Sequence, residues 1–115
     1  PPDDCNRLRM ALALLDTCAP FFKEGSNKRR LDVYLVYLCR YIFCKALTID
    51  VQFSLSDTLQ ATRPHLVRPS SYAIACDMVE RLEAALAEDT RQGEVLAHEL
   101  LHSSKEEPTE GEADG

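Results

Sequence analysis

At 115 residues the chain has room for one domain and a modest core, and too little length for a second. Apolar residues make up 45% and charged residues 28%, with 13 Lys and Arg against 19 Asp and Glu, the composition of an ordinary soluble protein. The longest apolar run, Leu31 to Leu47, is interrupted by Asp32, Arg40 and Lys45, which argues against a membrane span or a signal peptide.

The net charge of -6 is unevenly spread. Residues 1 to 47 carry eight basic against five acidic side chains, and residues 48 to 115 five against fourteen, so one end can attract an anionic partner and the other a basic one.

The first predicted element opens with Pro1, Pro2 and the capping candidates Asp3 and Asp4, then repeats apolar residues at Leu8, Leu12, Leu15 and Phe22. Pro20 lacks an amide hydrogen and crowds the preceding turn, so this helix should end or kink near Ala19, with a short turn at Gly25 and Ser26. The second segment is the most apolar. A long stretch without Gly or Pro favours helix over strand, with Leu31, Tyr34, Leu35, Leu38 and Ile42 on one face and Val33, Val36 and Phe43 on another. A helix apolar on several faces is normally buried on several sides. This one is therefore expected to expose apolar surface unless further helices, a partner or self-association covers it.

Asp50 is the expected cap of a third helix, with Val51, Leu55, Thr58 and Leu59 inward and a break at Arg63 and Pro64. After a connector with two prolines, Ser70 or Ser71 caps a fourth helix that turns Ile74, Ala75, Met78, Val79, Leu82, Ala85 and Leu86 inward and runs toward Gly93. "EVLAHELLH" reads as a short amphipathic continuation with Leu96 and Leu100 on one stripe and Ala97 and Leu101 beside it. Residues 103 to 115 are acidic, lack large apolar side chains and are expected to be a disordered tail after a helical region over residues 1 to 102. The fold class is all-α, an array of antiparallel helices.

Cys5, Cys18, Cys39, Cys44 and Cys76 are odd in number, form no C-x-x-C pair and sit within apolar helical patterns, as reduced packing residues do in a cytosolic or nuclear protein. "HELLH", with His98, Glu99 and His102, spells the zinc-peptidase signature in which two imidazoles on one helical face hold the metal and the carboxylate activates water. A catalytic zinc needs a third protein ligand, and Lys105 and Pro108 stand where one common continuation puts Gly and His. His65, the remaining histidine, lies on a connector. The reading adopted is an acidic amphipathic helix with solvated His98 and His102, no catalytic residue, no metal and no cofactor; a zinc metallopeptidase through His98 and His102 stays as a remote alternative.

Lys28, Arg29 and Arg30 form a basic patch that could contact phosphate or an acidic partner. Three cations at a helix start oppose the helix dipole, and Asp32 is near enough in sequence to offset them locally. Tyr34, Tyr37 and Tyr41 could stack on bases, but their apolar company favours core packing. Asp77, Glu80, Glu83, Glu88 and Asp89 fall on the outer side of the fourth helix, of which Asp77, Glu80 and Glu83 are the candidates for docking a basic partner. Asp16, Asp32, Asp50 and Asp57 are better explained by capping and by interhelical pairing with arginines such as Arg40 and Arg63 than by catalysis.

Three runs, "RLRMALALLDTC", "GSNKRRLDVYLVYLCRY" and "IDVQFSLSDTLQATRP", resemble the C-terminal part of the third middle-of-initiation-factor-4G (MIF4G) domain of the up-frameshift suppressor two family, which acts in nonsense-mediated mRNA decay. Leu14, Leu15, Asp16, Thr17 and Cys18 match, as do Gly25, Ser26, Lys28, Arg29, Leu31 and Asp32, and later Asp57, Thr58, Leu59, Arg63 and Pro64. The resemblance covers residues 1 to 68 well and the fourth helix loosely. It implies stacked antiparallel helical hairpins of a HEAT-like α-solenoid, and a non-catalytic scaffold that bridges the up-frameshift factor one RNA helicase and the RNA-recognition domain of up-frameshift factor three. The acidic helix that the family uses for factor three belongs to an earlier part of that domain, so no residue here inherits its role. An RNA-binding helical module using Lys28 to Arg30 is the alternative function. The expected location is cytoplasmic, with a perinuclear or partly nuclear share.

Overall fold

The structure is a computed structural model that describes residues 4 to 102; the side chain of Asp4 and the predicted acidic tail lie outside what is described. Five α-helices follow one another: α1 (Asp4–Cys18), α2 (Gly25–Phe43), α3 (Ile49–Thr62), α4 (Tyr72–Glu88) and α5 (Thr90–His102). No strand occurs among the described residues, and none of the helices is long and apolar enough to cross a membrane. The all-α class holds.

Local chemistry sets most helix ends. Helix α1 stops at Cys18, and Pro20 falls inside a 3-10 turn over Ala19–Phe22, where its missing N–H is tolerated. Gly25 opens α2 at φ +77°, a left-handed conformation that a side chain would strain, so the expected turn is one residue that starts the helix itself. Helix α3 ends at Thr62, two residues before Pro64. Ser71 caps α4, its hydroxyl oxygen accepting from the Ile74 amide at 3.2 Å.

Two boundary expectations are corrected. Asp50 does not cap α3; Thr48 holds the cap position with extended backbone, and Asp50 lies in the first turn, accepting from the Thr48 hydroxyl and from Arg9. Those two bonds, Thr48 first, hold the Asp50 carboxyl below its usual range. The break between the last two helices falls at Asp89, in extended conformation, rather than at Gly93. Gly93 instead lies inside α5 against α4, where an added Cβ would run into the Leu86 side chain and come within 3.2 Å of its Cα. Gly93→Ala should therefore lower stability by about 1–3 kcal/mol despite the better helix propensity of Ala, a loss that urea titration would read.

The order of cross-helix contacts fixes the helix directions. Cys5 donates to the Ala46 carbonyl at 3.8 Å, Arg9 meets Asp50 at 3.1 Å, and Arg63 donates to the Phe22 carbonyl at 3.1 Å. These partners ascend together, so α1 and α3 run parallel. Arg29 with Glu94 and Asp32 with His98 do the same for α2 and α5. Tyr37 with Glu83 and Phe43 with Tyr72 run in opposite order, so α2 and α4 are antiparallel, as are α4 and α5 across their short turn. Parallel neighbours joined through antiparallel turns are what a stack of helical hairpins requires.

One core joins all five helices, with Leu8, Leu35, Val51, Leu55, Leu82 and Leu101 essentially without exposure. The spacing-based inward sets hold for α1 and α3. In α4, Ala75, Met78, Val79 and Leu82 are buried, but Ile74 is 42% exposed, because the step of about 100° per residue that turns the fully buried Ala75 inward leaves Ile74 at the side of the packed stripe. Cys5 and Cys39 are core residues, whereas Cys44 is exposed at the end of α2, so it does not pack as the apolar pattern implies. Burial pushes the Cys39 thiol up to about 11, which keeps it protonated and unreactive.

Candidate docking faces and the polar node beneath them

The densest polar arrangement among the described residues is centred on Asp32, which is 2% exposed on the inner side of α2. Its Oδ1 accepts from Arg63 Nε at 2.9 Å, and His98 Nδ1 lies 3.5 Å from its Oδ2. Arg63, just past the end of α3, directs its remaining donors to three backbone carbonyls: Phe22 at 3.1 Å, Thr62 at 2.8 Å and Lys28 at 3.1 Å. One guanidinium thus ties together the 3-10 turn, the start of α2 and the end of α3, satisfying the Phe22 and Thr62 carbonyls that helix ends leave unpaired and adding a bond to the Lys28 carbonyl within α2. The pairing of Asp32 with Arg63 is the interhelical one expected from sequence. It is structural: the carboxylate is enclosed, with Arg63 and His98 set against its two oxygens.

The basic patch is divided by the fold. Arg29 reaches across to Glu94 of α5, Nε to Oε1 at 3.1 Å, with Glu94 nearly buried. Lys28 is half-buried and lends its carbonyl to Arg63. Arg30 is exposed on the far side, at the rim of a cavity between α1 and α2. The expected local offset by Asp32 gives way to these long-range partners, because Asp32 points into the core while Arg29 follows the α5 side. The patch is therefore not a continuous cationic strip of the kind that tracks a phosphate backbone.

The acidic candidates stand together. Asp77, Glu80, Glu83, Glu88 and Asp89 are all exposed along α4. Glu83 accepts from the Tyr37 hydroxyl at 2.9 Å, and Asp77 lies 3.9 Å from Arg81. Burial, and then the bond to Glu83, raise the Tyr37 pKa, so the phenol remains a donor at neutral pH. Of the three tyrosines assigned to the core, Tyr37 and Tyr41 are half-buried and Tyr34 is 43% exposed, because α1 stands away from α2 there and leaves that side open.

The HELLH residues are placed on α5 with their rings 4.4 Å apart. His98 faces Asp32, and His102 Nδ1 donates to the His98 carbonyl at 2.8 Å. The solvated reading needs amendment: His98 is half-exposed and engaged with the buried node. Among the described residues no group of three or more His, Cys, Asp and Glu is arranged to hold a metal ion. What sequence reasoning missed is Glu94, whose partner is 65 positions away and leaves no local signal.

No protein-family model and no solved structure matches the chain. Curated relatives do. The human protein regulator of nonsense transcripts 2 is 33% identical over 97% of the chain, and regulator of nonsense transcripts UPF2 of Arabidopsis thaliana is 43% identical over 62% of it. Nonsense-mediated mRNA decay protein 2 of Schizosaccharomyces pombe is 27% identical over 71%. The chain spans 9% of the length of the human relative and 6% of the Arabidopsis one. With nearly its whole length aligned to the human protein and a fold made only of stacked helices, this chain belongs to the regulator of nonsense transcripts 2 family, corresponding to a short segment of those proteins.

Proposed function

We propose that this chain is a non-catalytic scaffold module of nonsense-mediated mRNA decay, contributing to the bridge between the up-frameshift factor one helicase and the RNA-recognition domain of up-frameshift factor three. The observation that carries this is the 33% identity along 97% of the chain to regulator of nonsense transcripts 2. The geometry supports a scaffold. The polar groups with close, buried partners hold helices to one another, while the charged groups left outside form faces rather than a cleft. The acidic face of α4, at Asp77, Glu80 and Glu83, is the surface best suited to a basic protein partner, since its carboxylates share one exposed side of a capped helix.

Calorimetric titration of the factor three RNA-recognition domain into this chain, in parallel with the factor one helicase, tests the reading. Binding of at least one partner is expected. If it uses the α4 face, the combined change Asp77→Lys and Glu80→Lys should weaken it by about tenfold or more and flatten its salt dependence. Absence of binding to either protein, with the chain folded by circular dichroism, would remove the bridging role.

A further inference from the structure

Helix α5 sets His98 and His102 one turn apart on the same face, with ring centroids 4.4 Å apart and ring planes inclined at 31°. Core packing does not account for the pair. The neighbours that fill the core are Ala97 and Leu101, while the His98 side chain is 51% exposed and His102 is half-exposed. Two imidazoles this close also repel each other when both are protonated.

Hydrogen bonding decides which ring nitrogen each histidine presents. A backbone carbonyl can only accept, so the 2.8 Å contact of His102 Nδ1 with the His98 carbonyl puts the ring proton on Nδ1. The neutral ring then carries its lone pair on Nε2. His98 Nδ1 lies 3.5 Å from Oδ2 of Asp32, a carboxylate ion-paired with Arg63 and therefore again an acceptor. The same assignment follows, and both rings offer Nε2 as the electron-pair donor. Histidines that hold metals are prepared in this way: the second nitrogen donates to a carboxylate or to a backbone carbonyl, which fixes the tautomer, orients the ring and makes the ligating nitrogen more basic. One support of each kind is present here.

Ligand type and spacing select the ion. At a Zn–N bond of about 2.0–2.1 Å and a tetrahedral angle, two ligand nitrogens lie about 3.3 Å apart, so rings with centres 4.4 Å apart need only converge at their Nε2 edges. Imidazole suits Zn²⁺, Ni²⁺ and Cu²⁺, whereas Mg²⁺ and Ca²⁺ take oxygen ligands.

We infer that His98 and His102 form a two-histidine site for a late first-row divalent ion such as Zn²⁺, bound through both Nε2 atoms, with water in the remaining positions and with Asp32 and the His98 carbonyl as supports. No group of three or more His, Cys, Asp and Glu is arranged for a metal among the described residues, so the ion staples the last turn of α5 and is not a peptidase centre, which needs three protein ligands. The site does not depend on the scaffold reading of the chain.

The probe is Zn²⁺ itself, titrated calorimetrically into the chain in chelator-free buffer with a non-coordinating reductant, with thermal melts alongside. Expected are one ion per chain, no binding of Mg²⁺ at the same concentration, and a Tm that rises with Zn²⁺ concentration. Affinity should fall by about tenfold or more in His98→Gln and in His102→Gln. Cys44→Ser, which removes the exposed thiol, should leave it unchanged. Glutamine keeps a donor that can reach Asp32, and melts without metal would verify that both variants fold. Nitrogen NMR of the histidine rings should show Nε2 as the bound atom in each. No zinc binding at millimolar concentration, binding unchanged by either histidine substitution, or binding abolished by Cys44→Ser would overturn the inference. Coordination through Nδ1 would do the same, since it would break the two supports on which the site rests.

Discussion

Replacing Asp32 with Ala is expected to destabilise the fold by about 3–5 kcal/mol, the cost of leaving a buried cation without its counter-charge. Arg63 is 6% exposed and could not turn to water without abandoning the carbonyls of Phe22, Thr62 and Lys28. For a domain of this size such a loss lowers Tm by well over about 10 °C. The reciprocal change, Arg63→Met, should be at least as damaging, since it strips donors from three carbonyls as well as from the carboxylate. Changing both together, Asp32→Leu with Arg63→Met, would cure the unpaired charge but not the orphaned carbonyls. The double variant should therefore remain less stable than the parent protein while losing less than the sum of the singles. Chemical denaturation of the four proteins checks this. Full recovery in the double variant would mean that the carbonyl bonds add nothing, and a strictly additive loss would mean that the two side chains are not coupled.

The second large effect concerns α5. Leu101 has no measurable exposure, and its carbonyl accepts from the Val67 amide at 2.7 Å, joining the end of this helix to the connector between α3 and α4. Leu101→Ala should cost about 2–5 kcal/mol through the lost burial and the cavity left behind. The comparison is Leu100→Ala one residue earlier, where the side chain is half-exposed and the loss should be clearly smaller. If both cost little, α5 would be a weakly attached appendage, which its buried Ala97 and its ion pair with Arg29 argue against. If Leu101→Ala is as severe as expected, the second leucine of "HELLH" is a core residue that fastens the end of α5.

Read together, the two effects describe how the molecule holds its outer surfaces in place. Asp32 and Arg63 fasten α2 to α3, while Leu101 and the Arg29 to Glu94 pair fasten α5 to α2. The faces left over, the acidic one on α4 and the apolar one between α1 and α2, stand on helices fastened in this way.

Much was legible before any coordinates. The inward sets of α1 and α3, the stop at Pro20, the end of α3 before Pro64 and the Ser71 cap all follow from spacing and from backbone chemistry within a few residues, which every helix must obey wherever it packs. The pairing of Asp32 with an arginine such as Arg63 was also foreseeable, because an acid amid apolar neighbours needs a cation and few are placed to reach it. The family resemblance likewise came from ordered local matches. Other features could be decided only by the tertiary structure: the parallel course of α1 and α3, the reach of Arg29 to Glu94, the division of the basic patch and the exposure of Tyr34. Each depends on which faces meet once the chain has closed on itself, and contacts between residues 41 or 65 positions apart leave no periodic trace in the sequence. The placement of Gly93 inside a helix belongs with them: a glycine there looks like a break locally, and only the nearness of Leu86 shows that it is a point of close packing.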